Sequence, residues 1–268
     1  MNEFPETKFL VLEPENGWLR IWFNRPEARN ALSDGLIAEL RRILEQVARD
    51  DRIRGITLRG KGDVFCAGGD LKAFRSVFQG EEQNVDDVLR ASRAGGELFG
   101  RLNTMPQVVL MLVDGAAMAG GLGIVCTGDI IAVTESAKFA LTETTLGIPP
   151  AQIAPFIVQR LGLNTARRLM LTAARFDGNE AARIGLADFL AADAAGLDDI
   201  EAQMREQVMR CAPHANAITK ELVLAAGILD RESMIEKAAQ GFAACILGDE
   251  GREGIAAFLE KRKPNWAS

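Results

Sequence analysis

The stretch from Val108 to Asp129 constrains the fold more than any other part of this chain. Val108–Val113 is an unbroken apolar run that reads as a fully buried strand. Gly115-Ala116-Ala117-Met118-Ala119-Gly120-Gly121 follows, mostly small residues that force a tight bend, and Leu122 to Cys126 predicts a short apolar helix starting near Gly120. A glycine-lined turn feeding a helix leaves unpaired backbone N–H groups pointing outward, where negative charge is welcome. The same residues also suit a turn that needed small side chains only for packing.

A second corner of this kind is Asp63-Val64-Phe65-Cys66-Ala67-Gly68-Gly69-Asp70-Leu71-Lys72. Two such corners in one chain can aim two backbone N–H groups at a single oxygen, forming an oxyanion hole whose donors are fixed before charge develops.

The rest of the chain supplies stacked mixed units. Residues 9–12 and 18–23 read as strands around a turn at Glu13-Pro14-Glu15-Asn16-Gly17. Ser33 offers an N-cap to a helix carrying Leu36, Ile37, Leu40, Ile43, Leu44 and Val47, and 53–58 returns to strand. The resulting β-β-α-β order recurs after Val108, which predicts an α/β fold of stacked units rather than a doubly wound sheet. Residues 75–84 read as a polar surface loop before a helix over 86–102. Beyond Pro149, helices are expected over 153–161, 165–171, 179–184, 197–209, 215–226, 231–247 and 250–261, with a short strand near 187–190. A boundary at 191–196 divides a core of residues 1–195 from a helical region, 196–268, whose apolar stripes suggest an oligomerisation module.

Composition narrows the function classes. The 268 residues are 48% hydrophobic and 25% charged, enough for a sizeable core. A formal net charge of −6 gives no basic field for a phosphate backbone, so nucleic acid is not expected as a partner. No apolar run reaches membrane-spanning length and Met1 to Lys8 does not resemble a secretory leader, so no membrane association and a cytoplasmic location are expected. Cys66, Cys126, Cys211 and Cys245 form no C-x-x-C pair and are expected as buried free thiols. The lone His214 reads as a surface or helix-start residue, and no metal is expected. Nor is there a phosphate-binding or dinucleotide glycine motif.

Asn24-Arg25-Pro26-Glu27-Ala28-Arg29-Asn30-Ala31-Leu32, the two glycine corners, Ala137-Lys138-Phe139-Ala140-Leu141-Thr142-Glu143 with Leu146-Gly147-Ile148-Pro149, and Phe258 to Trp266 occur in an order that closely resembles the crotonase (enoyl-CoA hydratase/isomerase) superfamily. The resemblance spans nearly the whole chain. It implies a spiral of β-β-α units with a C-terminal helical trimerisation region, forming a trimer or a hexamer. It places oxyanion donors at the N–H groups of Gly69 and Gly120, holding the thioester oxygen of an acyl-CoA. Glu143 matches the acid that moves a proton at the α-carbon. An uncharged neighbourhood should raise its pKa. Coenzyme A, part of the substrate rather than a cofactor, is expected near Arg29, Ala31, Ala67, Gly68 and Leu71, with Lys261 reaching from the terminal helix.

One departure stands out. Two-carboxylate hydratases carry another Glu where this chain has Gly123. A single carboxylate suffices for double-bond isomerisation, yet the segment from Ile148 to Pro155 resembles the lining of hydratases acting on long, branched or carboxylated enoyl-CoAs, including the isohexenylglutaconyl-CoA type. The expected activity is hydration of such an enoyl-CoA by Glu143, with Gln152 or a Thr hydroxyl orienting the water. The alternatives are a Δ3-Δ2-enoyl-CoA isomerase and a non-catalytic acyl-CoA-binding protein.

Overall fold

The computed structural model describes residues 4–70 and 85–267. Its opening hairpin joins β1 (Leu10–Glu15) to β2 (Trp18–Phe23) through Asn16 and Gly17, with φ of 46° and 75°. Two left-handed residues match the right-handed twist of the strands, so the turn is shorter than the five residues expected. Glu13, Pro14 and Glu15 stay in β1, with Pro14 opposite Leu19. Proline is tolerated because β1 lies at the sheet edge, where its missing N–H breaks no ladder.

Helix α1 (Asp34–Val47) is capped by the Ser33 side chain, which accepts from the Leu36 N–H, and it buries Leu36, Leu40, Ile43, Leu44 and Val47. Three strand pairs follow: β3 (Gly55–Gly60) with β4 (Val64–Cys66), β5 (Val108–Val113) with β6 (Ala116–Met118), and β7 (Ile130–Thr134) with β8 (Lys138–Ala140). With β9 (Phe176–Asp177) and β10 (Phe189–Ala191) from later in the chain, the first strand of each pair joins a six-stranded sheet ordered β1-β2-β3-β5-β7-β10, and the second joins a four-stranded sheet ordered β4-β6-β8-β9. Helices α2 (Val85–Asn103), α3 (Gly120–Cys126) and α4 (Ala154–Thr172) close the successive units. This is the stacked β-β-α arrangement expected from the sequence. Gly162, at φ 71° and ψ 163°, interrupts α4, which explains why two shorter periodic patterns are legible there.

The chain continues through β9 (Phe176–Asp177), α5 (Gly178–Arg183), β10 (Phe189–Ala191), α6 (Ala194–Met209), α7 (Pro213–Ala225), α8 (Arg231–Leu247) and α9 (Asp249–Leu259). Helix α6 lies on the large sheet, packing Leu197, Met204 and Val208 with Trp18, Leu110 and Leu112. Its Glu201 is buried yet satisfied: it accepts from Thr57 Oγ1 at 2.6 Å and from the Arg20 guanidinium. Arg54 closes the far end of α6 by donating to the carbonyls of Val208 and Cys211, where the unpaired C=O groups of the last turn attract a cation. Helices α7 and α8 bury none of their residues in the single chain.

Cys66 and Cys126 are buried as expected, and desolvation pushes both thiols up to about 12. Cys211 is exposed and Cys245 only half-buried, because both belong to the C-terminal helical part, whose faces remain open. Among the described residues no helix is long and apolar enough to cross a membrane. The expected loop at 75–84 lies outside the described residues, as does Leu71.

Candidate active site

The buried side chain of Asn30, the half-buried Arg25 and a hydrogen-bonded strap position the first glycine corner. Asn30 is fully buried. Its Oδ1 accepts from the Arg25 N–H at 2.8 Å, and its Nδ2 donates to the carbonyls of Lys61 and Val64 at 3.0 and 2.6 Å. Arg25 in turn donates to the Ala31 carbonyl at 2.8 Å and pairs with Asp70 at 3.3 Å. The strap then lies along the corner: Ala67 N–H donates to the Arg29 carbonyl, Leu32 N–H to Gly68 and Asp70 N–H to Leu32. Arg29 and Asn30 both take φ of 53°, a left-handed pair that turns the strap back toward the corner. Asn30, Arg25 and Asp70 were not singled out by sequence reasoning, although all three stand inside the matching motifs; the bonds that join the strap to the corner reach partners more than thirty residues away.

The second corner is built on β6 and α3. Ala119 N–H donates to the Ala140 carbonyl at 2.8 Å, tying the corner to the end of β8. Ala119 itself adopts φ 50° and ψ −123° as the N-cap of α3. The two corners abut. A Cβ on Gly68 would lie 2.9 Å from Ala119 Cβ and from the Met118 carbonyl oxygen, and 3.2 Å from Gly120 N. A Cβ on Gly120 would lie 3.8 Å from Gly69 N. Glycine is required at 68 for this approach and for its φ of 92°. Among the described residues, neither the Gly69 nor the Gly120 N–H donates a backbone hydrogen bond. Two free amides on abutting corners can stabilise an oxygen that gains negative charge.

Glu143 stands three residues beyond Ala140, in a short 3-10 turn (Glu143–Leu146). Three residues span at most about 10 Å, which bounds how far the Glu143 backbone lies from Ala140, the residue that holds the second corner through the Ala119 N–H. Its Oε2 is buried without a hydrogen-bond partner among the described residues. Desolvation raises its pKa above the usual glutamate value, opposed by a weaker hydrogen bond to its own backbone. An unpaired, partly desolvated carboxyl is suited to moving protons rather than to holding structure.

The remaining expected site residues are distributed more widely. Ala31 and Gly68 are buried and Ala67 is half-buried, all on the strap-and-corner assembly. Arg29 and Lys261 are exposed, and neither has an ion-pair partner among the described residues. Lys261 sits just past the end of α9 at φ 55°. Gln152 donates through Nε2 to Ser92 Oγ at 3.0 Å, so part of its hydrogen-bonding capacity is spent holding the segment before α4 against α2. Of the Thr hydroxyls beside Glu143, those of Thr144 and Thr145 are likewise engaged, with the Met170 and Thr142 carbonyls. A cavity of about 630 Å³, lined in part by Arg54, Gln107, His214 and Trp266, lies between the core and the C-terminal helices, away from the glycine corners. No group of three or more His, Cys, Asp or Glu is placed to hold a metal ion among the described residues.

Comparison with known proteins identifies the family. The family model described as enoyl-CoA hydratase/isomerase matches residues 13–268. The solved structure of Pseudomonas aeruginosa AtuE is 46% identical, with a TM-score of 0.93 over 97% of this chain and 100% of that one. An enoyl-CoA hydratase/isomerase from Marinobacter aquaeolei is 41% identical, with a TM-score of 0.93 over 97% and 99% of the two chains. Enoyl-CoA hydratase ACTT6 of Alternaria alternata is 31% identical over 243 residues, 90% of this chain and 78% of that protein. The chain is an enzyme of the enoyl-CoA hydratase/isomerase family, within the crotonase superfamily.

Proposed function

We propose that this enzyme adds water across the double bond of an enoyl-CoA thioester, using Glu143 as its single proton-transfer group. The observation that carries the reading is the buried, unpartnered Glu143 Oε2, three residues along the chain from the Ala140 carbonyl that holds the corner whose Gly120 N–H makes no backbone hydrogen bond. The Gly69 and Gly120 amides would grip the thioester oxygen, and their hydrogen bonds strengthen as the enolate forms. Glu143 takes a proton from water as its oxygen bonds to the β-carbon. It then delivers that proton to the α-carbon on the same face, so one O–H bond and the C=C π bond break while one C–O and one C–H bond form. Ala31, Ala67 and Gly68, with Arg29, Leu71 and Lys261, would hold coenzyme A. Gln152 orients the water through the part of its carboxamide not bonded to Ser92.

The acyl group is proposed to be long or branched, of the 3-substituted glutaconyl kind in the isohexenylglutaconyl-CoA manner. Support comes from the resemblance of the segment from Ile148 to Pro155 to the lining of hydratases that act on such acyl groups. The working assembly is proposed to be a homotrimer or hexamer in the cytoplasm. A second reading, Δ3-Δ2-enoyl-CoA isomerisation by the same glutamate, is favoured by one feature: Gly123 provides no second carboxylate.

Supplying a 2-enoyl-CoA and, separately, a 3-enoyl-CoA distinguishes the two, since only hydration consumes the conjugated thioester absorbance. Glu143→Gln should reduce turnover by about 10²–10⁴-fold while acyl-CoA affinity stays within a few-fold of wild type. Activity within tenfold of wild type would overturn the assignment.

A further inference from the structure

We infer that Ile153 is a specificity-determining residue: its side chain occupies the place a second carboxylate would need, and so holds the site to one proton-transfer group. The inference rests on the function proposed above. Gly120 and Gly123 are three residues apart on α3 and share a face, with about 4.5 Å of rise between them. Any side chain at 123 would therefore stand one turn from the amide that grips the thioester oxygen. No side chain fits there. A Cβ on Gly123 would lie 2.8 Å from Ile153 Cβ, closer still to its Cγ2, and 3.5 Å from Phe99 Cε1.

Ile153 cannot withdraw easily. It is 3% exposed and β-branched, so few rotamers are open to it. It also caps α4, its carbonyl accepting from Phe156 and Ile157. The preceding Gln152 is fastened to α2 by the Ser92 hydrogen bond, and its Cδ lies 3.0 Å from where a Gly96 Cβ would be. The segment is held from both sides. Gly123 is thus more than a missing carboxylate: its space is filled with hydrocarbon, and adding Glu at 123 alone does not create a two-carboxylate site.

A thermal-unfolding cycle tests the contact independently of catalysis. Gly123→Ala should lower Tm by about 5 °C or more in the presence of Ile153. The same change in an Ile153→Gly background should lower it far less, because both Cγ2 and Cβ have been removed. Ile153→Ala, which keeps Cβ, should relieve the clash only in part and provides the cycle if Ile153→Gly does not fold. Additive Tm shifts would overturn the inference.

The kinetic arm uses crotonyl-CoA. Gly123→Glu should give no gain in hydration rate, whereas Gly123→Glu with Ile153→Gly should exceed Ile153→Gly alone by at least about tenfold and add an ionisation to the kcat/KM pH profile. A gain from Gly123→Glu alone at wild-type Tm would also overturn the inference. If Glu143→Gln retains turnover, the proposed function fails while the Tm cycle still reports on Ile153.

Discussion

Burial around one oxygen of Glu143 gives its carboxyl a pKa above the usual value near 4.5, and that shift has consequences for both rate and stability. As a proton acceptor it must be ionised, so kcat/KM should fall as pH drops through the raised value, giving an acidic limb above the ordinary glutamate range. For stability the sign is opposite. The protonated form favours the folded state, a contribution fully present below the unfolded pKa and lost as pH rises through the folded one. Above that window the ionised group is a burden on the fold. Glu143→Gln should therefore match or exceed wild-type Tm at pH 8, with the difference vanishing below pH ~4.5; a variant less stable at pH 8 would contradict the desolvated environment. Glu143 and the glycine corners were legible in the sequence because each lies within a short local pattern. Ile153 opposite Gly123 was not, since that contact joins positions thirty residues apart and no periodicity records it. The engagement of Gln152 with Ser92 is hidden for the same reason.

At the scale of elements, short-range pattern carried the reading well where a cap or a period was strong. Ser33 capping α1 and the apolar stripe behind it are examples. It carried less at the hairpin, where Pro14 masks a strand, because proline's penalty depends on whether the strand is an edge, which only the assembled sheet decides. Glycines divide along the same line. Gly68 sits at φ 92° with Ala119 and Met118 at 2.9 Å from its absent Cβ, whereas Gly100 in α2 has nothing within 4 Å. Alanine at 68 combines left-handed backbone strain, about 1–2 kcal/mol, with overpacking of about 1–3 kcal/mol, and pushes the two corners apart. It should cost at least about 10²-fold in turnover if an oxyanion donor is displaced. Alanine at 100 should instead stabilise by about 0.5–1 kcal/mol, the ordinary gain in a helix interior. Paired denaturation and kinetic measurements on the two variants check this, and equal effects would mean the corners do not constrain each other.

At the scale of the whole molecule, the C-terminal helices are fastened to the core at polar points while their apolar faces stay open. Lys220 of α7 pairs with Asp129 at 2.5 Å and donates to the Gln107 carbonyl at 2.6 Å. Glu250 of α9 accepts from the N–H groups of His214 and Ala215 at the start of α7. Desolvation raises the Asp129 pKa and lowers that of Lys220, as expected for a pair held out of water. Removing one partner of such a pair leaves the other charge uncompensated, a loss of about 3–5 kcal/mol. Yet Ile235, Phe242, Leu247, Phe258 and Leu259, all on α8 and α9, are each more than half exposed. Helices anchored to their own core with bare outer faces are suited to covering one another across copies. If the proposed trimer or hexamer covers these faces, light scattering at micromolar concentration gives three or six times the chain mass. Ile235→Glu with Phe258→Glu should shift that mass toward one chain without loss of helical content, because neither side chain is buried within the protomer. A monomeric wild type would remove the oligomerisation role from these helices, whereas a variant that unfolds would mean the exposed faces stabilise the protomer itself.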